Sequence, residues 1–266
     1  MERPVFSIVI PTLARAGTFA RALASIESQT FSNYEVIVID DGSPEPYALD
    51  LCRKTTLKYT IIRHERSQGA SAARNDGLKI AKGQFIAFLD DDDEYHPTFL
   101  QSTYDRIEST PQSVGLAWCS ISCIDYPDVP GNTVKIRERI FDTEYPDNIA
   151  LFEQLMSIGT GCGVTIKKEC IDRVGLFSMG LHAVEDTDMF LRILTAGYVP
   201  IVIPGIHITV HNHKNARLSS VGVHRTRICE CRKLLMEHNL FLRGFPSLQR
   251  QILRHINFLK TEQSGL

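Results

Sequence analysis

Short, mostly apolar runs recur through the first hundred residues, at positions 6–10, 35–39, 59–62 and 85–89, the last of them apolar throughout. Runs of this length without polar alternation suit strands buried on both faces of a parallel sheet. Each is followed by a segment of helical periodicity, at 18–28, 46–53, 71–80 and 97–108. In the first of these, Phe19, Leu23 and Ile26 fall at three- and four-residue steps, so one face of the helix packs on the sheet. Strand and helix alternating in this way predict an α/β fold, Rossmann-like, with a mainly parallel central sheet flanked by helices. A further strand is expected at 115–124, and the turn formers of Tyr126-Pro-Asp-Val-Pro-Gly-Asn mark a surface loop and a soft boundary. Residues 151–210 read as a helix, a glycine-rich turn at 159–163, an acidic helix start at Glu185-Asp186, and strands at 199–203 and 206–210. From about Ser219 the pattern gives two helices broken at Gly244-Phe245-Pro246. The expected organisation is a 1–215 domain with halves 1–125 and 126–215, followed by a helical C-terminal extension at 216–266.

Composition narrows the class without naming a chemistry. The chain has 266 residues, 43% of them hydrophobic and 23% charged, which suits a soluble protein with one large core or two small ones. Basic and acidic side chains nearly balance, 29 against 31, so nothing in the total favours nucleic acid. Seven cysteines without a CxxC pair argue against a disulfide framework or a zinc ribbon and for a reducing compartment. The first residues lack a signal-peptide core and no apolar run approaches the length of a membrane span, so the expected location is cytoplasmic.

Candidate chemistry sits at strand ends. Asp90, Asp91, Asp92, Asp93 and Glu94 follow the 85–89 run directly. Five adjacent carboxylates repel one another unless solvent or a cation spreads the charge. A solvated acidic loop is one reading; a site for a hard divalent ion beyond the carboxyl end of a strand is the other. A second acidic strand end, Asp40-Asp41-Gly42-Ser43, is explained equally by turn chemistry. In "SQGASAARNDGLKIAKG", Gly69 precedes a helix whose first turns carry Arg74 and Asn75, which could face an anion. Carboxylates for a metal and for hydroxyl groups, together with an arginine for phosphate, outline a nucleotide-diphosphate site. Glu185 and Asp186 at a helix start read either as favourable charges at the dipole or as functional acids. His207, His211 and His213 alternate onto one face of a strand-like run, a spacing conceivable for zinc but remote from the carboxylate cluster.

The stretches "FSIVIPTLARAGTFARALASIESQTFSNYEVIVIDDGS", "GASAARNDGLKIAKGQFIAFLDDDDEYHP" and "VEDTDMFLRILTAGY" resemble the inverting family 2 glycosyltransferases of GT-A fold, over residues 5 to about 210. The resemblance implies transfer of a sugar from a nucleotide-diphosphate sugar, with a UDP-sugar expected, to an acceptor hydroxyl in polysaccharide, cell-surface glycan or glycolipid synthesis. It implies a donor half (1–125) and an acceptor half (126–215). Asp41 then contacts the nucleobase, with Pro11 and Thr12 in the same pocket. The metal-binding DxD maps to Asp90-Asp91-Asp92, with Asp92 the direct ligand of Mn²⁺ or Mg²⁺ and Asp90 and Asp91 toward the ribose and the metal's waters. Asp186 takes the place of the general base, and His213 is the best match for a histidine that reaches the diphosphate or the metal. Two rivals share parts of this pattern: a nucleotidyltransferase that makes nucleotide sugars, and a binding module that has lost the chemistry. The first would want a glycine-rich basic loop after the first strand, where this chain has Pro11-Thr12-Leu13-Ala14-Arg15.

The C-terminal helices lie outside that resemblance. Between Arg217 and Lys260 nine Lys and Arg side chains face two acids, Glu230 and Glu237. Their many apolar positions must be covered, by the catalytic domain, by a second copy of the chain in a homodimer, or by an anionic membrane at the inner face of the cell carrying a lipid-linked acceptor.

Overall fold

The computed structural model describes residues 3–110, 113–127, 133–161, 163–212 and 224–264. One curled sheet of nine strands organises it, in the order β3-β2-β1-β4-β8-β6-β9-β5 with β7 on the outer side of β6. The first four in chain order are β1 (Phe6–Thr12), β2 (Tyr34–Asp40), β3 (Tyr59–Arg63) and β4 (Phe85–Phe88), all parallel to one another. They alternate with α1 (Ala16–Glu27), α2 (Tyr47–Cys52), α3 (Ala70–Ile80) and, after β5 (Glu94–Tyr95), α4 (Phe99–Glu108). The apolar runs are strands for the expected reason: Ile8, Val9, Ile10, Val36, Val38, Ile39, Ile86 and Ala87 are all fully buried.

The second half completes the sheet with β6 (Val114–Asp125), β7 (Lys135–Arg139), β8 (Thr165–Lys167) and β9 (Val199–Asn212). The three-residue β8 lies antiparallel between β4 and β6 and joins the two halves. The two strands expected at 199–203 and 206–210 are one continuous strand, because β9 runs parallel to β6 through register shifts that absorb Pro204 and Gly205. Glu94 and Tyr95, inside the acidic run, form a short strand antiparallel to β9 rather than a solvated loop. Helices α5 (Asn148–Leu155), α6 (Lys168–Val174) and α7 (Glu185–Thr195) pack around this half.

The C-terminal region forms three helices, α8 (His224–Glu237), α9 (Asn239–Gly244) and α10 (Pro246–Ser264), where the sequence pattern suggested two. Their buried side chains Ile228, Leu234, Leu242, Leu248, Ile252, Ile256 and Leu259 belong to the same apolar cluster as Trp118, Phe152, Ile166 and Phe190. The catalytic body therefore covers most of the apolar surface that the sequence left unassigned.

Two features bring α3 to the edge of the sheet. Gly77 lies so close to β1 that a Cβ there would sit 2.5 Å from Val9 Cγ1, so only hydrogen fits. Asn75 is buried, donating to Phe177 O and accepting from Phe177 N, each across fewer than 3 Å. The helix is thus locked with Arg74 directed at the carboxyl ends of β1 and β4.

Candidate active site

The carboxyl ends of β1, β2 and β4 meet at a cavity of about 390 Å³. Pro11, Thr12, Asp41, Arg74, Asp90, Asp91 and Asp92 all line it, whereas Asn75, offered beside Arg74 for an anion, is turned to Phe177 instead. Leu13, Arg15, Ser67, Gly69, Ala70 and Ala73 complete the wall.

The acid run divides by direction. Asp91 turns inward and is buried; it accepts from Thr12 Oγ1 at 2.7 Å, from the Leu13 amide and from Arg15 Nη1 at 3.0 Å. Burial outweighs these donors and pushes its pKa up to about 6. Asp92 keeps more of its surface, with 21% of its side chain exposed, and pairs with the same Arg15 Nη1 at 2.8 Å. Asp93 is buried and accepts from the His211 amide, so the solvated-loop reading of the acidic run fails at this position. Burial, with Asp90 beside it, holds Asp93 well above the usual carboxylate range. Glu94 pairs with Arg21 and His211. What holds five acids together is therefore a set of internal donors and three arginines, Arg15 and Arg21 of the first helical unit and Arg74 of α3.

Asp41, the strand-end acid of β2, is buried and accepts from Ser67 Oγ, the Gln68 amide and the Gly69 amide, with a ring nitrogen of His64 at 2.6 Å. Burial opposes its ionisation, but these partners prevail and lower its pKa. The carboxylate thus fixes the loop that leads into α3 and forms one wall of the cavity.

Arg74 connects the donor side to the acids of α7. Its guanidinium lies 3.2 Å from Asp90, 3.4 Å from Glu185 and 3.9 Å from Asp186. Burial disfavours its charge, yet the three carboxylates raise its pKa further. Asp186 sits below, with 20% of its side chain exposed. Its Oδ2 accepts from the Thr160 amide at 3.0 Å, whereas Oδ1 is buried with no hydrogen-bond donor among the described residues. Burial raises the pKa of Asp186 despite Arg74, and Asp90 adds to the rise. Glu185 is more deeply buried, and burial together with Asp186 lifts it to about 7. Gly159 and Gly161 make room for this arrangement: a Cβ at the first would meet Asp186 Oδ2 at 2.9 Å, and at the second Asp90 Oδ2 at 2.8 Å.

His213 lies outside the described residues. Its strand neighbours do not form a metal site: His207 contacts Pro204 O and Thr98, and His211 contacts Tyr126 and Glu94. Among the described residues no three His, Cys, Asp or Glu side chains form a ready-made metal cluster. The donor set still fits a hard divalent ion, since such ions are commonly held by one or two carboxylates with water and substrate phosphate supplying the rest. Asp90 and Asp92 both line the cavity and keep 35% and 21% of their side-chain surface, so both are placed to supply such a carboxylate.

Three contributors went unassigned in the sequence: Arg15, Ser67 and Thr160. Arg15 carried a usable signal, being a cation one turn past a buried strand that ends beside acids. The Thr160 amide carried none, because its partner Asp186 is brought to it only by the tertiary fold.

Residues 7–175 match the protein family described as glycosyl transferase family 2. An uncharacterized glycosyltransferase of Haemophilus influenzae is 29% identical over 242 residues, covering 88% of this chain and 76% of its own length. The Escherichia coli UDP-Glc:alpha-D-GlcNAc-diphosphoundecaprenol beta-1,3-glucosyltransferase WfgD is 25% identical, over 83% of this chain and 81% of that protein. Among solved structures, S. aureus TarS 1-349 in complex with UDP-GlcNAc superposes with a TM-score of 0.67 at 17% identity, over 86% of this chain and 66% of that one. The mannosyltransferase PcManGT from Pyrobaculum calidifontis, in complex with GDP-Man and Mn²⁺, gives 0.61 at 18% identity, over 97% and 70%. At these identities the two structures establish the GT-A fold.

Proposed function

The chain belongs to glycosyl transferase family 2, and on that premise we propose that it is a metal-dependent, inverting glycosyltransferase that moves a hexose from a UDP-sugar to an acceptor hydroxyl in cell-surface glycan synthesis. One observation carries the reading: Asp186 Oδ1, a buried carboxylate oxygen that meets no donor among the described residues, beside an arginine that reaches the acids of the donor cavity. A carboxylate in that state accepts a proton readily, and its raised pKa strengthens it as a base.

In this mechanism the nucleotide lies in the cavity, with its base toward Pro11, Thr12 and Asp41 and its ribose toward Asp90 and Asp91. Asp92 would hold a divalent ion, Mn²⁺ or Mg²⁺, which when bound would supply charge stabilisation for the departing diphosphate. The acceptor oxygen forms a bond to the anomeric carbon as the bond to the diphosphate oxygen breaks, and its proton passes to Asp186 Oδ1. One displacement at one centre inverts the configuration. Arg74 keeps Asp90, Glu185 and Asp186 from repelling one another apart. WfgD, a relative that acts on a lipid diphosphate sugar, supports an acceptor of that chemistry here.

Incubation with Mn²⁺ and a panel of UDP-Glc, UDP-GlcNAc, UDP-Gal and GDP-Man tests the reading. Slow, metal-dependent release of the nucleoside diphosphate from one donor is expected. Pyrophosphate exchange would make the protein a nucleotidyltransferase, and binding without turnover in the presence of acceptor lipid would make it a binding module.

A lipid-linked acceptor asks for contact with a membrane, and we place this contact on α10. Its exposed face carries Arg250, Leu253, Arg254 and Phe258 at helical spacing, with Leu253 43% and Phe258 56% exposed. No helix among the described residues is long and apolar enough to cross a membrane. Each basic residue near an anionic surface contributes about 1 kcal/mol, so the stripe suffices for reversible, salt-sensitive attachment. Co-sedimentation with anionic but not neutral liposomes, lost in high salt and in Arg250→Glu/Arg254→Glu, is the expected result. Equal pelleting of the variant would leave the stripe to self-association, checked by light scattering.

A further inference from the structure

The loop that forms the Asp41 wall is pinned by an ionisable group the mechanism does not use. His64 is 6% exposed and lies between two carboxylates: Nδ1 is 2.6 Å from Asp41 Oδ1 and Nε2 is 2.9 Å from Asp76 Oδ2 on α3. A neutral imidazole has one N–H and one lone pair, so one of those contacts would set a lone pair against a carboxylate oxygen. Protonating Asp41 instead is disfavoured, since it already accepts from Ser67 Oγ and the amides of Gln68 and Gly69. Asp76 is held as an anion by Lys79 Nζ at 2.6 Å. Of the charged residues flanking His64 in β3, Arg63 is turned to Asp40. Both ring nitrogens are left to donate.

We propose that His64 is a positioning residue, an imidazolium that ties Asp41 at the end of β2 to Asp76 on α3, and that donor affinity depends on its charge. The proposal rests on the nucleotide-sugar reading above. Asp41, Ser67 and Gly69 all line the donor cavity, so loss of the imidazolium proton frees the wall that meets the nucleobase. Burial disfavours the charged ring, but hydrogen bonds and charge from Asp41 and Asp76 outweigh it and raise the pKa above the ordinary 6.5. The sign follows: the tie is intact below the ordinary histidine value and is lost as pH climbs through the raised one.

The test measures UDP dissociation constants with Mn²⁺ from pH 6 to 9, alongside ring ¹⁵N NMR of the same protein. Wild type is expected to show both His64 nitrogens protonated at pH 7, and affinity that falls about tenfold as the ring deprotonates. His64→Gln, which offers one neutral donor group, should bind about tenfold more weakly at low pH and show no such limb. Asp76→Asn lies outside the cavity lining and removes one of the two anions, so it should keep low-pH affinity while moving the limb to lower pH. A merely structural histidine would not give that shift. A neutral ring at pH 7, or a His64→Gln protein with wild-type affinity and pH profile, overturns the proposal. Wild-type protein that binds no nucleotide overturns the donor reading, and the positioning role with it, whereas binding that is blind to His64 overturns the positioning role alone.

Discussion

Asp186→Asn is expected to lower kcat by about 10²-fold or more, the scale of a positioned general base, while leaving the donor dissociation constant unchanged. The separation follows from geometry. Asp186 is not among the residues that line the donor cavity, and it reaches that cavity only through Arg74 and Asp90. An asparagine keeps the shape and can still accept from the Thr160 amide, but it cannot take the acceptor's proton. The wild-type pH profile should agree. A base must be ionised, and burial and Asp90 hold Asp186 above its ordinary 3.8, so kcat should rise with pH along a limb displaced upward from the ordinary aspartate value. Single-turnover transfer with a saturating donor measures both. A variant with near-normal turnover would remove Asp186 from the chemistry.

Asp92→Ala is expected to act on the other side of the reaction. It should abolish the Mn²⁺ dependence of nucleotide-diphosphate binding and reduce kcat/KM by about 10² to 10³, since a metal at a diphosphate contributes several kcal/mol of charge stabilisation. Asp91→Ala serves as the contrast. Asp91 is buried and accepts from Thr12, Leu13 and Arg15, so its loss should cost stability as well as binding. Calorimetry with UDP, with and without Mn²⁺, separates the two; unchanged metal dependence in Asp92→Ala would reject that ligand.

The parts of the molecule legible in the sequence were those set by local pattern. The runs at β1, β2 and β4 are dominated by buried apolar residues because both faces are covered, and acids that follow such runs emerge at the sheet's edge. The cavity was therefore visible as a list of strand ends. What stayed hidden depends on partners distant in the chain. Nothing in the acidic run distinguishes the outward Asp92 from the inward Asp91 and Asp93; residues 90–93 lie in a turn between β4 and β5, and donors on β1 and β9 decide their directions. Pro204 and Gly205 read as a break between strands, yet β6 pairs across them through its shifts in register. The helix broken into α8 and α9 near His238 was missed because no Gly or Pro marks it. His238 accounts for the turn instead, with its Nε2 2.8 Å from Asp188 on α7.

The three-residue strand β8 also bears on how the chain assembles. The pairings of β1 with β2 and of β2 with β3 join segments near one another in sequence, and they can form while later residues are still being synthesised. β8 closes much longer loops, setting Lys167 against Phe85 and Ile166 against Leu116, and β9 must then return beside β6. Contacts that close long loops form late and slowly. The residues that line the cavity all precede position 93, whereas Asp186 follows β8 in the chain. Until β8 inserts, β4 offers an unpaired edge, the stage at which a nascent chain is most exposed to aggregation.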